Sequence, residues 1–254
     1  MRASPYRLAG AWTVRTHLFG VEEPGRIFLL GTDELGRDQF SRMLWGGQIS
    51  LTTGWLAALL TLSIGLLLGS TAGFWGGWPD ALIMRGADLF LAVPWIYLLL
   101  AVRAFLPLSM PPHATAVILA AIIGAVGWAR PARLVRGIVL SAREREFVYA
   151  ARGFGASPWY LVRRHCLPAT YSVLATQAAL LIPQYMVAET TLSFVGLGVA
   201  EPQASWGTLL APLRQISLLT SSWWVAIPAL LVVLTSWCFL NLDDSLADGH
   251  QRKA

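Results

Sequence analysis

Ser141 to Thr170 reads SAREREFVYAARGFGASPWYLVRRHCLPAT, a polar stretch set between strongly apolar runs. Its charge is one-sided: from Arg130 to His165, Arg130, Arg133, Arg136, Arg143, Arg145, Arg152, Arg163 and Arg164 face only Glu144 and Glu146. It also carries helix punctuation that a merely solvated loop has no use for. The pattern predicts a short helix over Glu144 to Gly153, with Ala150 and Ala151 as small side chains on a surface otherwise made of large ones. Small side chains let another surface approach the backbone closely. Gly153 and Gly155 loosen or end that helix, because glycine accepts a left-handed cap. Ser157 before Pro158 is a start signal, a capping hydroxyl followed by a proline at the first helical position. Leu167-Pro168 is expected to end this second piece.

The rest of the chain shows what surrounds the loop. Of 254 residues, 56% are hydrophobic and only 13% charged, and the mean hydropathy is +0.57. That is too little charge to coat a soluble domain of this size, so the expected class is an all-α, polytopic transmembrane helical bundle. The net charge of +5 collects between apolar runs, which fits topology and anionic headgroups rather than nucleic acid. No aromatic-rich basic stripe or nucleic-acid fold signature supports a nucleic-acid partner. Cys166 and Cys238 fit neither a disulfide framework nor metal-ligand spacing and are expected to pack. The opening MRASPYRLAGAWTVRTHLFG has basic residues but no continuous apolar core, so insertion is expected to rely on the spans.

Five spans follow from the apolar runs, a crossing helix needing about 20 residues. Between Arg42 and Asp80 there is no charge, and Leu51 to Phe74 forms the first span, closed by GFWGGWPD. The second runs from Ala81 to Leu106, with Arg85 and Asp88 at i,i+3 spacing as a local pair and Pro94 as a kink. After the turn PLSMPPHAT, the third covers Thr115 to Trp128 and continues as a helix into the arginines. The fourth covers Tyr171 to Thr191 and the fifth Ser222 to Leu242. Between these two, LSFVGLGVAEPQASWGTLLAPLRQ reads as a folded-back, partly embedded loop.

The expected organisation is therefore residues 1–50 as an extracytoplasmic segment with the GTDELGRD motif, 51–242 as the transmembrane domain, and 243–254 as a cytoplasmic tail. The arginine-rich loop, 130–169, is placed in the cytoplasm by the positive-inside rule. Arg252 and Lys253 agree with an inside tail, whereas Arg2, Arg7, Arg15, Arg26, Arg37 and Arg42 sit badly on an outside N-terminus. A further, preceding span would remove that conflict.

The segment YAARGFGASPWYLVRRHCLP resembles the "EAA" loop of the inner-membrane permeases of binding-protein-dependent ABC importers. Tyr149 stands where the family has glutamate, while Ala150, Ala151, Gly155, Leu167 and Pro168 match; Arg152 and Ala156 lie within the same motif. The resemblance implies that this loop forms a coupling helix docked in a groove of an ATP-hydrolysing subunit, its shape retained without the carboxylate. Gly31 to Leu51, Phe74 to Pro94 and Ala188 to Leu210 are similar to the C-type subunits of dipeptide, oligopeptide and nickel permeases. The likeness covers about Gly31 to Asn241. It implies the ABC importer permease fold in the bacterial inner membrane and transport of peptides or a related small solute. The implied partners are a second homologous permease, two cytoplasmic ATPases and an extracytoplasmic solute-binding protein. Alternating access is the implied mechanism, with spans packed through Gly65, Gly69 and Gly73 permitting the motion.

Chemistry of the chain's own is not expected. There is no GxxxxGK[ST] loop, and Lys253 is the only lysine, so ATP would be bound by partner chains and this chain would carry no cofactor. No HExxH, GxSxG or zinc spacing points to a catalytic or metal residue. Asp33, Glu34 and Asp38 of GTDELGRD are too compact for an EF-hand loop and read as a turn capping a helix that begins near Asp38. Glu189, near the outer end of the fourth span, has two readings: a residue lining or gating the pathway, or a carboxylate bonded within a helix–loop junction. Two other readings of the whole remain: the arginine loop as a plain topology hairpin, and the chain as a self-sufficient channel or ion-coupled carrier. The carrier would need polar residues at several span midplanes or internal repeats, and neither is evident.

Overall fold

A computed structural model describes residues 6–8, 12–14, 28–33, 35–104, 111–214 and 223–251. Glu34, Pro107 to Met110 of the PLSMPPHAT turn, Arg2, Arg15, Arg26, Arg252 and Lys253 lie outside the described residues. The chain divides into two compact units, Met1–Arg42 and Met43–Ala254.

In the first unit, β1 (Tyr6–Leu8) and β2 (Trp12–Val14) pair antiparallel, with Tyr6 opposite Val14. GTDELGRD is a turn built on Asp33, whose carboxylate accepts from Leu35 N at 3.0 Å, Arg37 N at 2.8 Å and Arg37 Nε at 2.6 Å. Burial works to raise this carboxyl, but those hydrogen bonds outweigh it and hold it below the usual carboxylate range. Asp38 then accepts from the Phe40 and Ser41 amides, both at 3.2 Å, and so caps the first helix.

That helix, α1 (Gln39–Trp75), has 37 residues and begins well before Leu51, so the expected boundary at residue 50 falls inside it. At 1.5 Å per residue it is about 55 Å long, against a hydrocarbon core of about 30 Å. Its faces invert the soluble pattern. Gly46, Gly47, Ser50, Gly54, Ala57, Ala58, Thr61, Gly65, Gly69 and Gly73 are buried, while Leu44, Trp45, Trp55, Leu59 and Leu67 are exposed. In lipid there is no hydrophobic gain in hiding leucine, and small residues let backbones approach.

The second span is not one kinked helix but two: α2 (Gly77–Ala92) and α3 (Trp95–Ala104) meet at 88°. Val93 is extended, with φ −93° and ψ 129°, as the ring of Pro94 requires of its predecessor. The third continues as expected: α4 (Pro112–Gly127) passes into α5 (Ala129–Arg143) through a 46° bend at Trp128. Among the described residues, three helices are long and apolar enough to cross a membrane, five if each bent pair is counted as one span.

Beyond α5 come α6 (Glu146–Gly153) and α7 (Pro158–Leu161). Gly155 separates them at φ +83°, and the Ser157 hydroxyl accepts from Tyr160 N at 3.3 Å. Pro168 does not stop the helix. A π turn over Val162–Cys166, in which Leu167 N donates to Val162 O at 2.8 Å, and a 3-10 turn over Pro168–Thr170 absorb the ring. The helix therefore runs on from Pro158 to Val195, its last part being α8 (Tyr171–Val195). Gly196, left-handed at φ +89°, ends it. The folded-back loop then delivers α9 (Trp206–Leu210), and α10 (Ile227–Gln251) carries the chain through most of the expected tail.

Two ends of the bundle are defined by contacts. At one, Arg143 donates to the last carbonyls of α1, Phe74 O at 2.8 Å and Gly73 O at 3.3 Å, where a cation suits a helix C-terminus. At the other, Trp206 Nε1 donates to Met43 O at 3.1 Å and Arg103 Nε to Leu197 O at 2.5 Å. GFWGGWPD thus shares an end with the arginine-rich loop, and the GVAEPQASWG loop lies at the opposite one.

Candidate docking and gating sites

The arginine loop is a fixed shelf, not a free hairpin. Val148, Leu161, Val162 and Cys166 are buried with Phe74 of α1 and Val135, Val139 and Ala142 of α5. Ala151, Ala156 and Leu167 pack against that cluster from its edge. Ala150 is exposed, so the two alanines expected on one surface are divided: Ala151 faces inward and Ala150 outward. A hollow on the shelf is lined by Ala151, Phe154, Gly155, Ala156, Ser157 and Tyr160. Tyr149, Arg152 and Pro168 are exposed beside it.

The sequence reading missed the aromatic residues around this hollow. Phe154 is 92% exposed, and Phe147, Tyr149, Trp159 and Tyr160 are each about half exposed or more. They stand among the exposed Arg145, Arg152, Arg163 and Arg164, which hold them at the level of headgroups and water rather than acyl chains. The signal was present in the sequence as five large aromatic side chains within a charged interval.

Three of the eight arginines have internal partners. Arg136 forms a two-bond fork with Asp80 of α2, Arg136 Nη2 donating to Asp80 Oδ2 at 2.5 Å. Arg133 pairs with Asp88, so the expected local pair of Arg85 with Asp88 is replaced by one between helices. Arg143 is bound to the end of α1. These bonds join α5, which carries the shelf, to α1 and α2.

Glu189 is fully buried. Ser193 Oγ donates to Glu189 Oε1 at 2.6 Å and itself accepts from Val199 N at 3.0 Å. The hydroxyls of Ser50 on α1 and Ser205 at the start of α9 neighbour the same carboxyl. Ser205 also forms a reciprocal cap with Thr208. This geometry ties α1, α8, the folded-back loop and α9 together and favours the junction reading over a residue facing an open path. Glu189→Gln, which keeps an acceptor oxygen and the shape, is expected to leave uptake close to the parent level. Glu189→Leu leaves buried hydroxyls without an acceptor, at a cost of about 1–3 kcal/mol, and should lower the yield of folded protein. Uptake assays with quantified membrane protein check both; loss of uptake by Glu189→Gln at normal yield would restore the gate.

A helical bundle with exposed leucines and tryptophans and an aromatic, basic shelf at one end defines a polytopic membrane subunit. Comparison narrows the class. The chain belongs to the family described as "Binding-protein-dependent transport system inner membrane component", whose model matches residues 65–248. It is 39% identical over 231 residues to the dipeptide transport system permease protein DppC of Bacillus subtilis (strain 168), covering 91% of this chain and 70% of that one. It is 37% identical to the glutathione transport system permease protein GsiD of Pectobacterium atrosepticum, covering 91% and 75%. The fold resembles a chain of the inward-facing MetNI methionine ABC transporter, with a TM-score of 0.55 at 18% identity, covering 85% of this chain and 99% of that chain. The chain is thus a membrane-embedded transport subunit of an ABC importer.

Proposed function

We propose that the chain is one of two permease subunits of a bacterial inner-membrane importer for dipeptides or other short peptides. Two cytoplasmic ATPases bind and hydrolyse the ATP, and an extracytoplasmic binding protein delivers the solute. The shelf is the observation that carries this reading. Its hollow and aromatic rim fit a protein partner, and its underside is packed on α5, α1 and the helix leading into α8. Docking would involve Tyr149, Ala150, Arg152, Gly155 and Ala156 directly, while Ala151, Leu167 and Pro168 fix the shelf to the span. A push or pull at the shelf then reaches three helices without passing through a flexible linker. The peptide assignment rests on the dipeptide permease relative. A channel or ion-coupled carrier complete in one chain would have no use for such a surface.

Affinity purification of the tagged chain from its native membrane tests the assembly. The expected result is co-purification of an ATP-binding subunit and a second permease, and uptake of a labelled dipeptide when the complex is reconstituted with its binding protein. Recovery of the chain alone under conditions that keep it folded would count against the importer assembly.

A further inference from the structure

The pairing between α2 and α5 has an order. Asp80 meets Arg136 and Asp88 meets Arg133, the two helices running antiparallel. The next arginine along the same series is Arg130, but from Leu89 to Val93 α2 offers no acid before Pro94 breaks the span. The acids run out one arginine early. Arg130 instead lines a half-open recess of about 80 Å³ with Phe90, Leu91, Trp95, Gln184 and Tyr185 among its walls. The Tyr185 hydroxyl is already engaged: Thr61 Oγ1 lies 3.1 Å from it and 2.9 Å from Gly124 O. Among the described residues, neither Arg130 nor Gln184 makes a hydrogen bond or an ion pair. The polar groups that remain are therefore a guanidinium and an amide, on a wall otherwise made of aromatic, aliphatic and small residues.

Arg130 and Gln184 are both exposed where they line this recess, and an ionisable side chain without a partner at a cavity of a membrane subunit is a candidate contact for a passing solute. The fork of a guanidinium matches a carboxylate by two parallel hydrogen bonds. The recess has room for several water molecules, hence for one end of a small solute rather than a whole peptide. We infer that Arg130, assisted by Gln184, receives the terminal carboxylate of a peptide in transit, with Trp95 and Phe90 against its last side chain. This rests on the peptide-importer reading above and assigns a specificity contact within it. The competing source of the same chemistry is the phosphate of an anionic lipid.

The test uses the whole importer in phosphatidylcholine nanodiscs, with Cys166→Ala, Cys238→Ala and Val126→Cys in this chain, since Val126 lines the recess. The rate of modification by N-ethylmaleimide is measured with dialanine and with dialanine amide. Dialanine is expected to slow the reaction and the amide to leave it unchanged. Arg130→Gln should raise the half-protecting concentration about tenfold, the loss of one charge-assisted interaction, and Arg130→Lys less. Equal protection by acid and amide, or protection unchanged in Arg130→Gln, overturns the site. Protection that follows added phosphatidylglycerol and ignores dialanine gives the recess to lipid and also overturns it. Dialanine uptake by the parent complex, reconstituted with its binding protein in closed phosphatidylcholine vesicles, is followed in parallel. Uptake without protection removes the Arg130 contact alone, whereas absence of uptake removes the peptide reading and this inference with it.

Discussion

Gly69→Leu is expected to abolish the folded subunit. A Cβ on Gly69 would stand against the Ala132 carbonyl oxygen and 2.8 Å from Val135 Cβ. At Gly73 it would lie 2.8 Å from Arg136 O and at Gly65 2.8 Å from Pro131 Cβ, so the whole seam between α1 and α5 is set at backbone distance. Neither side can yield. The Ala132 obstacle is main chain, and α5 is held behind it by the Arg136–Asp80 fork and the Arg143 bonds to α1. Adding one methyl in such a place costs about 1–3 kcal/mol, and a leucine forces the helices apart. Gly137→Ala on the outer side of α5, where nothing lies within 4 Å, provides the control. Monodisperse elution in detergent and trypsin resistance should be lost for Gly69→Leu, reduced for Gly69→Ala and retained for Gly137→Ala. Normal elution of Gly69→Leu would refute the seam.

This seam also changes how the glycines of α1 are understood. Read from sequence, Gly65, Gly69 and Gly73 were small residues that would permit helices to slide. Set against the backbone of α5, they oppose sliding and make α1 and α5 one body, with the shelf attached at its end.

Much of the architecture was legible because membrane spans are written in a single variable, the length of an apolar run. The shelf was legible because glycine, serine and proline act within a few residues of themselves: Gly155 and Ser157 do what their chemistry predicts. What was hidden depends on residues distant in the chain. The helix expected near Asp38 and the span expected from Leu51 are one helix, with Gly46 and Gly47 carried through it beneath Ser205 and the Trp206 ring. Arg85 and Asp88 satisfied a local spacing rule, but a neighbouring helix supplied Arg133 as a better placed partner. Two prolines show the limit of reading punctuation alone. Pro94 breaks its span by 88° where a kink was expected, while Pro168, expected as a stop, is carried through by a π turn. The same ring does opposite things because the free amides and carbonyls around Pro168 find partners five and three residues away, and those around Pro94 turn to a new helix. At the site, the junction around Glu189 needed the fold to bring Ser50 and Ser205 to α8, residues far apart in the sequence.

Ala150→Trp is expected to disconnect the subunit from its ATPases while leaving its own fold intact. Ala151→Trp looks equivalent in the sequence and is not. Ala151 packs against the cluster of Val148, Leu161 and Cys166, so an indole there would lift α6 off α5 and confuse misfolding with failed docking. Ala150 points outward between Tyr149 and the inner alanine, with no packing of its own to disturb. A large side chain at that point keeps a partner surface from approaching the backbone of α6. Blocking one central position of an interface costs about 2 kcal/mol or more, on the order of thirtyfold in affinity. The expected observation is an unchanged level of the chain in the membrane, loss of ATPase subunits from the tagged preparation and loss of solute uptake. Tyr149→Glu, restoring the residue that the resembling permeases carry at this position, should keep both association and uptake, because the hollow and its rim remain. If Ala150→Trp retained its ATPases and transported normally, docking would not pass over Ala150, and Phe154 and Trp159, the most exposed aromatic residues of the shelf, would become the residues to substitute next.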